Sequence, residues 1–139
     1  MADPVSLSSG LLALVRFTFQ SSNTLCTAIQ SYRNHPKSVR ELIEELEALA
    51  VVLHSLSETV ERQESIDLAI LKPVLFQCGK ACQEFEDEVA KCLSRSSESR
   101  IHFGNWAKLQ YLGGSIDEFR MTLASYKSTI AIAVADSNL

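Results

Sequence analysis

The chain has 139 residues and a formal charge of −4, with 46% hydrophobic and 22% charged residues. That length and balance fit one domain able to bury its own core without disulfide or metal staples. Three prolines and five glycines are too few for a turn-rich sandwich or barrel, and without a basic stripe interleaved with aromatics there is no electrostatic basis for nucleic-acid binding.

The charge is unevenly spread. Residues 1–40 carry Arg16, Arg33, Lys37 and Arg40 against Asp3 alone, whereas residues 41–99 carry thirteen acids against five bases. An anionic membrane would repel that middle stretch, so membrane contact is expected through the basic N-terminal third.

The first element spans about 4–32. Leu12, Val15, Phe19, Ser22, Cys26 and Ile29 alternate steps of three and four, the seam of a bundle helix. From Pro4 to Tyr32 the only charge is Arg16. That is enough uncharged chain to cross a bilayer, which needs about 20 residues. Arg16 opposes insertion, at a cost of about 2.5–3.5 kcal/mol at the bilayer centre. The Ser, Thr and Asn residues between Ser6 and Ser31 weaken a permanent span further. MADPVSLSSG has no basic region ahead of its apolar run, so it does not read as a secretory signal.

The second helix is expected over 36–62, with Pro36 in its first turn. Val39, Leu42, Leu46, Leu49, Leu53, Leu56 and Val60 repeat every seven residues, and Glu41, Glu44, Glu45 and Glu47 place acids early, where the helix dipole favours them. The third is expected over 71–93, its seam running Leu71, Leu75, Cys78, Cys82, Phe85, Val89 and Cys92, with Pro73 near the start. SRSSESR, residues 94–100, reads as a solvated loop. A short helix is expected over 104–112, laying Trp106 and Leu109 on the core, with a strand as the alternative there. The last helix is expected over 115–135. It opens on a Ser115–Glu118 capping box and carries Ile116, Phe119, Leu123, Tyr126, Ile130 and Ala133 on its seam. The fold expected is all-α, an antiparallel four-helix bundle with one short extra helix, in a single domain over 1–139.

Chemistry is sparse. His35, His54 and His102 have no Cys, Asp or Glu at a motif spacing, and the nucleophile-elbow, metalloprotease and phosphate-loop patterns are missing. No catalytic residue, metal, cofactor or small-molecule substrate is therefore expected. Cys26, Cys78, Cys82 and Cys92 fall on the seams and read as small buried hydrophobes with reduced thiols, as in a cytoplasmic protein. The run Ile130–Ala135 is apolar beyond what one seam needs. Its Ile130, Ile132 and Val134 are candidates for a contact with a second copy or a neighbouring domain.

MADPVSLSSGLLALV at the start, NHPKSVRELIEELEAL in the second helix, CGKACQEFEDEV in the third and YKSTIAIAVADSNL at the end together resemble one fungal family. It is the HeLo-like N-terminal domain, also described as the N-terminal domain of fungal STAND proteins and of the azaphilone-pigment-cluster protein L. The resemblance covers essentially the whole chain, in order. It implies a helical bundle akin to the domains of heterokaryon incompatibility, necroptosis and plant innate immunity. It also implies C-terminal NTPase and repeat domains where the chain is longer, with self-association on activation. An N-terminal helix would then target the plasma membrane and cause programmed cell death. By position the membrane segment is Val5 through Phe19, with Val5, Leu7, Leu11, Leu12, Leu14, Val15, Phe17 and Phe19 as lipid-contacting candidates. The rival expectation is a homotypic interaction or scaffolding domain without membrane activity.

Overall fold

The computed structural model describes residues 4–30, 37–62, 68–94 and 116–137, with the side chains of 10–30, 37–62, 69–91 and 116–136. All four described elements are α-helices: α1 Pro4–Gln30, α2 Lys37–Glu61, α3 Leu68–Ser94 and α4 Ile116–Ser137. The expected short helix over 104–112, His35, His102 and Ser115 of the capping box lie outside the described residues.

Apolar spacing accounts for α2 almost completely. Every residue of its seven-residue seam is buried, joined by Ile43 and Thr59. On α3 the seam from Leu71 to Val89 is buried as well. This helix already includes Leu68, three residues ahead of the expected start, so Pro73 lies inside it. A proline there removes one helical hydrogen bond. Leu71 and Leu75, both fully buried on either side of it, hold the turn in place. On α4, Ile116, Leu123 and Ile130 reach the core, with Phe119 and Tyr126 packed at its margin, and Asp117 and Glu118 suit the dipole of the first turn.

The helices form a ring. α1 packs beside α2 and α3, and α4 packs beside the same two, which leaves α1 diagonal to α4 and α2 diagonal to α3. Glu41 meets Arg120 at 3.4 Å and Glu45 meets Lys127 at 2.8 Å, so α2 and α4 run parallel. Phe85 stacks on Phe119 at 4.3 Å between ring centroids, closing the α3–α4 side.

Candidate functional site

The N-terminal helix keeps Val15, Ser22, Cys26 and Ile29 of its expected seam buried and departs from it at Leu12 and Phe19. Leu12 is half-buried and Phe19 is 38% exposed, whereas Leu11, Val15, Thr18, Ser22, Leu25 and Ile29 are buried. Their steps of four and three make a seam rotated toward α3. Hydroxyl chemistry explains the rotation. Thr18 donates to the Leu14 carbonyl at 2.9 Å and Ser22 donates to the Phe19 carbonyl at 3.0 Å. Each hydroxyl is satisfied by its own helix, so it can be buried at little cost. A hydropathy pattern counts Thr18 as polar and misses it, whereas Ser22 falls on the expected seam.

Short side chains let α1 and α3 approach closely. The Thr18 hydroxyl also donates across the interface to the Leu75 carbonyl at 2.7 Å, sharing one proton between two acceptors. One turn along α3, Gly79 lies beneath the Phe17 ring, and a Cβ built there would stand 2.5 Å from Phe17 Cε2. Phe17 in turn stacks on Phe76 of α3 at 6.3 Å. Thr18, Gly79 and Phe76 did not stand out in the sequence. The signal that could have found the joint is the run of small residues at 18, 21 and 22 facing another at 78, 79 and 82.

On its other side α1 forms an open groove with α2, about 320 Å³ in volume, floored by Leu12, Val15, Phe19 and Leu53. Arg16, Gln20, His54 and Glu61 stand along its rim. Arg16 is exposed and makes no ion pair with any described residue. No ion pair among the described residues joins α1 to a neighbour, in contrast to the two that join α4 to α2.

The remaining candidates are spread out. Leu11 and Val15 are buried, Leu12, Leu14 and Phe17 are half-buried, and the side chains of Val5 and Leu7 lie outside those described. On α4, Ile130 is fully buried, Val134 is half-buried and Ile132 is 63% exposed. No described helix is long and apolar enough to cross a membrane.

Reactive chemistry is not assembled among the described residues. No three His, Cys, Asp or Glu side chains stand where they could hold a metal. His54 meets Glu58 at 3.0 Å on an exposed face of α2. Cys26, Cys78 and Cys82 are buried free thiols. A hydrogen bond with Cys78, reinforced by burial, raises the Cys82 thiol far above its ordinary range, and burial with the nearby Glu47 charge raises Cys26. Such thiols stay protonated and poorly nucleophilic.

Four described helices packed in a ring suit a small helical module, and the comparison with protein families names it. The family described as pigment biosynthesis cluster protein PigL N-terminal matches residues 2–139. The chain belongs to this family. It is the pigment-cluster family that the four sequence motifs resemble, a family of small all-helical N-terminal domains. Comparison with curated proteins and with solved structures found no match.

Proposed function

We propose that this PigL N-terminal domain is a non-enzymatic effector module of a fungal STAND-type protein, cytoplasmic at rest and membrane-active once clustered. In this reading α1 is the moving part. The observation that carries it is the contrast in how the helices are held. Two ion pairs staple α4 to α2, whereas α1 has no ion pair with either neighbour among the described residues. Apolar side chains lose little when a protein groove is exchanged for acyl chains, whereas releasing α4 would break two half-buried ion pairs. Leu12, Leu14, Phe17 and Phe19 already lie at or near the surface of α1. Arg16 needs no partner removed before α1 leaves.

Dye leakage from vesicles tests the proposal, with the chain clustered on nickel-chelating lipid through a C-terminal His tag. Leu12→Asp and Phe19→Asp place a charge at half-buried and exposed sites, so the bundle should still fold. Both should leak far less than wild type. Equal leakage from folded variants, or none from clustered wild type, would refute a membrane role for α1.

A second reading, homotypic assembly without lipid activity, is favoured by Ile132, a large apolar side chain on the outer face of α4. Concentration-dependent mass of the wild type and of Ile132→Ser, without lipid, tests it. Self-association lost on that substitution would support it.

A further inference from the structure

We propose that the α1–α3 edge is a landing surface for anionic membranes, with Phe76 as the inserted ring and Lys72 and Lys80 as headgroup contacts. The proposal rests on the membrane reading above but concerns the folded bundle before α1 moves. Lys72, Phe76 and Lys80 follow at intervals of four, so they form one row on α3. Phe76 is 50% exposed, although a ring of that size usually finds cover. The Lys80 ammonium stands 5.7 Å from its centroid, and Phe17 of α1 stacks on the same ring at 6.3 Å between centroids. Neither lysine makes an ion pair with a described residue. An aromatic ring between two lysines with no described ion-pair partner is the chemistry of a membrane interface, where rings sit at headgroup depth and long basic stems reach phosphate.

The rest of the bundle orients this edge. α2, which carries Glu44 and Glu47 exposed, lies diagonal to α3 and so faces away. The described carboxylates of α3 begin at Glu84, one turn past Lys80. A chain of charge −4 approaching an anionic surface is therefore repelled in most orientations and attracted in this one. A second copy is a poorer occupant, because it would bring its own two lysines to the same edge.

Flotation of the untagged chain with phosphatidylserine-containing and pure phosphatidylcholine vesicles tests the surface. Each lysine near an anionic surface strengthens binding about fivefold, so Lys72→Gln/Lys80→Gln should weaken binding to the anionic vesicles about 25-fold. Phe76→Ser should weaken it severalfold, and Met121→Ser, exposed on α4, should leave it unchanged. Far-UV circular dichroism and thermal melting select variants that remain folded. Indistinguishable binding by folded variants, or a wild type that binds neither vesicle, overturns the landing surface; the second outcome makes an acidic protein partner the better occupant. The two membrane proposals fail separately. Binding through this edge without leakage from clustered chains removes α1 release and keeps the landing surface. Flotation that is as strong in folded Phe76→Ser and Lys72→Gln/Lys80→Gln as in wild type, beside leakage from clustered wild type, does the reverse.

Discussion

Thr18 on α1 and the Leu75 carbonyl on α3 stand 2.7 Å apart in a buried interface, and the Thr18 hydroxyl donates across it. It is a polar tie between a helix with almost no charge and the neighbour that helix would leave in the proposed mechanism. Thr18→Val keeps the shape and removes the donor. Urea unfolding should show a loss of about 0.5–1.5 kcal/mol. Hydrogen exchange should place the loosening in α1, and clustered Thr18→Val should leak dye faster than wild type.

Gly79 and Phe17 should be coupled. Alanine is favoured over glycine inside a helix by about 1 kcal/mol, but a Cβ at 79 stands 2.5 Å from the Phe17 ring and would displace it. In a Phe17→Ala background Gly79→Ala should therefore stabilise the bundle by about 1 kcal/mol. With Phe17 present the gain should vanish or reverse. A double-mutant cycle in urea measures the difference.

Arg16→Leu separates folding from insertion. Arg16 is exposed and forms no ion pair with a described residue, so stability should change by less than about 0.5 kcal/mol. The same substitution removes a charge costing about 2.5–3.5 kcal/mol at the bilayer centre. Leakage by clustered chains should rise while the thermal midpoint stays in place.

The α2–α4 staple should behave differently. Glu45 is only 15% exposed beside Lys127 at 2.8 Å, so Lys127→Met leaves a carboxylate poorly solvated and unpaired. The cost should be on the order of 2 kcal/mol. Glu45→Gln in the same chain should recover most of it, because the stranded charge is then gone. Urea midpoints of the two single variants and the double variant check this.

Alkaline pH should weaken the fold through its thiols. The folded Cys82 thiol is raised well above its ordinary value of 9.0 by Cys78 and by burial, and Cys26 is raised by burial and Glu47. Below about pH 9 both states hold these protons and nothing is lost. Above it the unfolded chain ionises while the folded chain does not, so stability falls as pH rises. Cys82→Ala should flatten that limb of the stability curve, whatever it costs at neutral pH. Modification of Cys26, Cys78 and Cys82 by a disulfide reagent at pH 8 should be limited by opening of the bundle.

Helix by helix, legibility followed side-chain chemistry. The α2 seam, Val39 to Val60, was read correctly because leucines at steps of three and four leave no second face to bury. The α3 seam was read correctly from Leu71 to Val89, cysteines included, because a thiol packs like a small hydrophobe. On α1, Val15, Ser22, Cys26 and Ile29 are buried as their spacing implies, but Leu11 and Thr18 take the places expected of Leu12 and Phe19. Lys72, Phe76 and Lys80 were passed over inside an acidic stretch, since net charge averages over faces that the bundle separates.

By itself the sequence determined that this chain is a bundle of long helices and a member of its family, because apolar periodicity and motif order are properties of the chain alone. Only the tertiary structure decided that α1 lies beside α3, that Thr18 is a core residue and that two lysines share an edge with an exposed ring. Those outcomes depend on how closely two backbones can approach. Gly79 and the internally bonded hydroxyls of α1 set that distance, and neither leaves a mark in hydropathy.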